Sequence, residues 1–99
     1  MHIVAVVFTT HAAHYRAFVD AVVSNARTSV QAEAGCHQFD VCEASGANAN
    51  QVFLYEVYGS PEDFQAHLAT PHYLQFNALT TPWIVDKTVS FFKRISPVD

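Results

Sequence analysis

The sequence has few basic residues and no long apolar run. Five Lys and Arg stand against nine Asp and Glu in 99 residues, which gives a formal net charge of −4. Such a chain lacks the basic patch that a phosphate backbone requires, so we expect no nucleic-acid partner. The apolar run from Ile3 to Phe8 has no basic leader, and no apolar stretch reaches the roughly 20 residues that span a bilayer. These absences predict a cytoplasmic protein without membrane contact.

Cysteine is scarce, and the usual cofactor motifs are missing. Cys36 and Cys42 fall in one predicted strand, where at about 3.3 Å per residue their Cα atoms lie roughly 20 Å apart, too far for a disulfide. The chain has no GxGxxG, no P-loop, no HExxH and no nucleophile elbow. We therefore expect no cofactor and no metal. Any chemistry must use side chains and the substrate itself.

Hydrophobic residues make up 51% of the chain, and their spacing predicts one domain over residues 1–99. Apolar residues at helical spacing predict one long amphipathic helix over 12–33, which Gly35 is expected to end with a positive φ. β-branched and aromatic runs predict four strands, at 2–9, 36–43, 52–58 and 87–95. The order is that of a ferredoxin-like β-α-β-β-α-β fold of the α+β class. Its antiparallel four-stranded sheet carries the helices on one face.

Two short helices are predicted between the third and fourth strands. Ser60 with Pro61, and then Thr70 with Pro71, are cap-plus-proline pairs of the kind that begin a helix. His67 therefore lies at the end of the first short helix, and His72 lies at the start of the second.

The third predicted strand is apolar on both of its faces. Helices can cover only one side of a small open sheet, so the other side needs a second protein surface. This pattern predicts a homodimer.

Glu56 is the one charged residue in that strand. A buried carboxylate is costly unless it is paired, and His67 in the next helix is the expected partner. A structural hydrogen bond and a pocket acid/base pair are both compatible with this pattern. Leu54 and Tyr58 share the face of Glu56, because side chains alternate along a strand.

The runs LYEVY, HLATPHYLQF and NARTSVQAEAGCHQFDV together resemble the antibiotic biosynthesis monooxygenase family of small dimeric α+β barrel proteins. The resemblance covers nearly the whole chain. It is greatest to the branch that contains quinol monooxygenases and the isomerase that degrades phosphorylated autoinducer-2. Two positions depart from the family pattern: Ala34 replaces a usual proline, and Gln38 replaces a frequent arginine. The second departure argues against a phosphate-binding role.

The resemblance implies a cofactor-independent monooxygenase that uses molecular oxygen on a small quinol or aromatic polyphenol-like substrate. It also implies a pocket between the sheet and the helices. In that pocket we expect His67 as the base, Glu56 to orient it, and Asn25 or Tyr58 to hydrogen-bond the developing oxyanion. The expected substrate-binding residues are Tyr58, Leu54, His72, Phe39 and Trp83.

Other functions and roles remain open at this level. The same base would serve an isomerase of a small phosphorylated hydroxy-diketone, and the same fold would serve a non-catalytic, ligand-binding stress-response dimer. Asn25 can border the pocket or cap backbone groups. Arg27 can lie in the pocket or in a salt bridge at the subunit interface.

Overall fold

The computed structural model describes residues 1–98, and Asp99, the last residue of the predicted domain, lies outside the described residues. Four strands form one antiparallel sheet in the order β2-β3-β1-β4. The strands are β1 His2–Thr10, β2 Cys36–Glu43, β3 Gln51–Tyr58 and β4 Ile84–Lys93. The helices are α1 Tyr15–Ala32, α2 Pro61–Leu68 and α3 Pro71–Thr80. The predicted ferredoxin-like α+β fold is confirmed.

Two boundaries differ from the prediction by three residues, and the other predicted boundaries differ by two residues or fewer. The predicted helix over 12–33 starts as a 3₁₀ turn at Ala12–His14, and α1 proper begins at Tyr15. Strand β4 begins at Ile84, three residues before the predicted start, because its pairing with β1 shifts register after Thr9 and then continues to Ile84. Pro82 disfavours a strand interior, and the predicted strand therefore started only at residue 87. In fact the irregular part is a single 3₁₀ turn over Thr81–Trp83.

The helices cover one face of the sheet, and the core lies between them. Buried side chains on this face include Val4, Val6 and Leu54, with Phe18 and Val22 of α1 packed over them. They hold α1 across the sheet, since buried apolar side chains supply most of the folding free energy.

The opposite face of the sheet is partly open in the single chain. Phe92 of β4 is 57% exposed and Phe53 of β3 is 38% exposed. The prediction that a second subunit covers this face stays a prediction, because the structure describes one chain.

Both predicted helix caps are confirmed. The Ser60 hydroxyl accepts a hydrogen bond from the backbone N–H of Asp63 at 3.1 Å, and the Thr70 hydroxyl accepts one from Tyr73 at 3.2 Å. Each cap satisfies one of the free N–H groups in the first helical turn. These caps fix where α2 and α3 begin.

Among the described residues, no helix combines the length and apolar character needed to cross a bilayer.

Gly35 serves a different purpose from the one predicted. Its φ is not positive, and α1 instead ends on Glu33 in extended conformation. The need for glycine comes from Asp63 on α2, because a Cβ at Gly35 would lie 2.6 Å from the Asp63 Cβ. Gly35 therefore allows the start of α2 to approach the β2 side of the sheet.

We expect Gly35→Ala to destabilise the fold by about 1–3 kcal/mol, because the backbone that carries the Asp63 Cβ would have to move. Gly59→Ala is the matched control. Its new Cβ would meet only side-chain ends, the nearest being Asp63 Oδ2 at 2.7 Å. Urea unfolding measures both variants, and equal losses of stability would contradict this role for Gly35.

Candidate functional site

A cavity lies between the sheet and the helices, with a water-accessible volume of about 40 Å³ inside about 360 Å³ of empty space that includes open solvent. Its walls are mostly apolar, with a few ionisable or amide side chains among them. The lining residues are Val6, Phe8, Asn25, Phe39, Leu54, Glu56, Phe64, His67, Leu68, Tyr73, Phe76, Lys87 and Val89. An apolar cavity with a few converging polar groups is the usual form of a small-molecule site.

Two histidines share one carboxylate oxygen at the edge of this cavity. Glu33 Oε2 lies 2.9 Å from His67 Nδ1 and 2.6 Å from His72 Nε2. The three side chains come from the end of α1, the last turn of α2 and the first turn of α3. Because a carboxylate oxygen only accepts, both imidazole nitrogens donate to it. The pairing of His67 with Glu33 corrects the prediction that Glu56 orients His67.

Burial and Glu33 act on the pKa of His67 in opposite directions. Burial lowers this pKa and outweighs the hydrogen bond to Glu33, which raises it. The imidazole is therefore neutral at pH 7. With Nδ1 donating to Glu33, the other ring nitrogen, Nε2, is the one that can take up a proton.

The same three side chains have the composition of a transition-metal site. Their ligand atoms all lie within 4.8 Å of one another. Two imidazoles and one carboxylate occur as a ligand set for iron and zinc. The two hydrogen bonds to Glu33 already satisfy these atoms, so the arrangement is complete as a hydrogen-bonded cluster.

Glu56 is bonded to its strand neighbour. The Tyr58 hydroxyl donates to Glu56 Oε1 at 2.6 Å, with both side chains buried. Burial raises the pKa of Glu56 to about 7, against the opposing effect of this hydrogen bond. Burial, and then the charge of Glu56, raise the pKa of Tyr58. Glu56 is therefore poised between its acid and its carboxylate near neutral pH.

Asn25 projects from α1 into the cavity wall. Its side chain is buried, and its Oδ1 finds no hydrogen-bond partner within residues 1–98. Of the two alternatives left open by the sequence, the cavity position is the one observed for this side chain.

The structure separates the other predicted site residues into two groups. Leu54 and Phe39 line the cavity. Tyr58 is fully buried behind Glu56 and does not line it, so its hydroxyl cannot serve an oxyanion there. His72 lies in an outer groove between α1 and α3. Trp83 stacks on His14 with ring centroids 5.5 Å apart, away from the cavity.

Three polar or ionisable residues of the site were missed in the sequence. Glu33 contacts a histidine 34 positions away, and Lys87 and Tyr73 reach the cavity from β4 and α3. No periodicity links such positions. Arg27 lines a separate surface groove beside Phe39, outside the cavity.

Comparison with known proteins gives consistent results. The family profile described as antibiotic biosynthesis monooxygenase matches residues 1–79. Rv0793 of Mycobacterium tuberculosis, provisionally named a monooxygenase, is 35% identical over 63 residues. That match covers 64% of this chain and only 56% of the relative's length.

Solved structures agree with the fold. A provisionally named antibiotic biosynthesis monooxygenase from Nitrosomonas europaea superposes with a TM-score of 0.88 at 25% identity, covering 96% of this chain and 99% of the other. PA3566 from Pseudomonas aeruginosa gives a TM-score of 0.84 at 19% identity, covering 96% and 94%. The second likeness shows the fold alone. With the profile match over most of the sequence, these findings establish that the chain belongs to the antibiotic biosynthesis monooxygenase family.

Proposed function

We propose that this protein is a cofactor-independent monooxygenase that acts on a small quinol or a related aromatic polyphenol. The observation that carries the proposal is the buried His67, which lines an apolar cavity while its Nδ1 donates to Glu33. A neutral imidazole held in one tautomer by a carboxylate is a well-suited general base.

Proton removal is the first step. A phenolic hydroxyl of the bound substrate gives its proton to His67 Nε2, and Glu33 stabilises the imidazolium that forms. The proposed orienting residue is therefore Glu33 rather than Glu56.

Glu56 acts on the oxygen atom left behind. Its pKa of about 7 keeps a substantial fraction as the neutral acid at neutral pH, and this form can donate a hydrogen bond to the developing phenolate. The Tyr58 hydroxyl holds the other carboxyl oxygen in place.

Oxygen then reacts with the electron-rich anion. One oxygen atom becomes bonded to a ring carbon, and the second leaves as water. The substrate supplies all the electrons, so a quinol and O₂ give a hydroxyquinone and H₂O. The apolar walls keep bulk water from the intermediates.

Lys87 favours a second candidate function. It is the one lysine or arginine among the residues that line the cavity, and its ammonium lies 5.4 Å from the centre of the Phe8 ring. A cation at this position could bind a phosphate group. A phosphorylated hydroxy-diketone would then be isomerised by the same base, which would move a proton beside its carbonyl.

Oxygen-electrode measurements test the proposal. Metal-stripped protein without added flavin or nicotinamide should consume oxygen with members of a panel of quinols and catechols, above their rate of autoxidation. Isomerisation of a phosphorylated diketone is assayed separately. Activity on the diketone alone would favour the isomerase, and no activity on either panel would favour a binding protein. Activity that appears only after iron or reduced flavin is added would contradict the proposed mechanism.

We also propose that the protein is a homodimer, which joins two copies through the open sheet face. Phe92→Lys should weaken dimerisation by roughly 100-fold or more, because an unpaired charge would be buried in the interface. Leu74→Lys on α3 is the matched control, since Leu74 is 54% exposed on the helical side. Sedimentation velocity at micromolar concentration measures both variants. A wild-type protein that sediments only as an 11.0 kDa species would contradict the dimer.

A further inference from the structure

The cavity contains a buried acceptor without a donor. Asn25 is only 5% exposed, and its Oδ1 has no hydrogen-bond partner in the part of the chain that is described. The same side chain lines the cavity together with Glu56 and His67. Buried polar groups are nearly always paired, so this exception calls for a partner from outside the chain.

The fold itself does not need an amide at this position. The neighbouring Ser29 hydroxyl donates to the backbone carbonyl of Asn25 at 2.7 Å, not to its side chain. The adjacent positions on the same stripe of α1, Val22 and Ala26, are apolar and buried. An apolar side chain at residue 25 would complete that stripe, whereas the amide leaves an unpaired buried acceptor on a residue that lines both the cavity and the outer groove.

We propose that Asn25 is a specificity-determining residue whose Oδ1 accepts a hydrogen bond from a second, non-reacting hydroxyl of an aromatic diol. The inference rests on the proposed function, in that it takes the cavity to be the substrate pocket. It narrows the expected ligand to a diol, whose hydroxyl can donate to Asn25. The diol should bind in preference to a methyl ether or a quinone of the same size.

This preference has a consequence for turnover. Oxygenation of a quinol converts its hydroxyls to carbonyls, and a carbonyl oxygen placed against Asn25 Oδ1 sets two acceptors together. The contact that holds the substrate is thus lost in the product, because a site built to bond a hydroxyl rejects an analogue that lacks it. Asn25 favours binding of the reduced form and release of the oxidised form.

Anaerobic calorimetry with three matched ligands tests the proposal. The probes are a dihydroxynaphthalene, its monomethyl ether and the corresponding naphthoquinone. The titrations use a Cys42→Ser background, because Cys42 carries a free thiol that is exposed in the single chain and can add to a quinone. We expect the diol to bind roughly 10- to 100-fold more tightly than the ether or the quinone.

Asn25→Leu should remove this discrimination while leaving the affinity for the ether unchanged. Gln75→Leu is the matched control, since Gln75 lies in the outer groove and not in the cavity. The ligand-free Asn25→Leu protein should melt no lower than wild type, because an unpaired buried acceptor has been removed.

Several results would overturn the proposal. Equal binding of diol and ether by wild type would mean that water satisfies Oδ1. Tighter binding of the quinone would mean that the amide presents its NH₂ to the ligand. A preference for the diol that persists in Asn25→Leu would show that Asn25 does not determine this specificity. These titrations contain no oxygen, so they test binding alone. If the diol is preferred here but the separate oxygen-electrode assay shows no uptake, the monooxygenase is refuted and the Asn25 inference stands.

Discussion

His67→Ala is expected to lower turnover by roughly 10²- to 10⁴-fold, because it removes the proposed general base. The rate of the wild-type enzyme should rise with pH through a step that lies below 6.5, since burial lowers the pKa of His67. That step should disappear in the variant. Steady-state oxygen uptake between pH 5 and pH 9 measures both effects.

A structural histidine would behave differently. His67→Gln keeps approximate size and hydrogen bonding, so it should melt near wild type and yet be almost as inactive as the alanine variant. A His67→Ala protein that melts lower but turns over normally would show that the ring only supports the fold. In that case the base would have to be sought elsewhere, and His72 would be the next candidate.

Glu56→Gln is expected to stabilise the protein above neutral pH by up to about 3 kcal/mol. Burial raises the folded-state pKa of Glu56 from 4.5 to about 7, so the folded chain holds this proton more tightly than the unfolded chain. The resulting contribution to stability is fully present below pH 4.5 and is lost as the pH rises to about 7. Glutamine stays neutral and does not suffer this loss.

Urea unfolding of both proteins between pH 4 and pH 8.5 checks this expectation. The buried His67 has a lowered pKa and acts in the opposite sense, losing stability as the pH falls below 6.5, but it is present in both proteins and cancels in the difference. Glu62→Gln on the exposed start of α2 is the control, and it should show little change. A difference between Glu56→Gln and wild type that does not vary with pH would refute a raised pKa at Glu56.

Local signals in the sequence were sufficient for most of the fold. The Ser60 and Thr70 caps depend only on residues within three positions of them, so α2 and α3 begin where predicted. Strand alternation likewise placed Leu54, Glu56 and Tyr58 on one face. The prediction of β2 matched the observed bounds.

The parts that failed depend on contacts between distant residues. Glu33 contacts His67 only because the end of α1 lies beside α2, and no local sequence pattern predicts a contact between residues so far apart in the chain. Glu56 is hydrogen-bonded to Tyr58, two residues along its own strand, and not to His67, the partner that was predicted for it. Gly35 was explained by its backbone freedom, although its true constraint is a close approach to Asp63.

The most direct test of proton transfer to His67 is the visible spectrum of a bound nitrophenol, which does not react with oxygen and whose phenolate absorbs strongly. The wild-type protein should bind it as the phenolate at a pH where the free phenol is still largely protonated. His67→Gln should bind it without this absorbance. A nitrophenol that stays protonated in the wild-type cavity, or one that ionises equally in both proteins, would contradict His67 as the base.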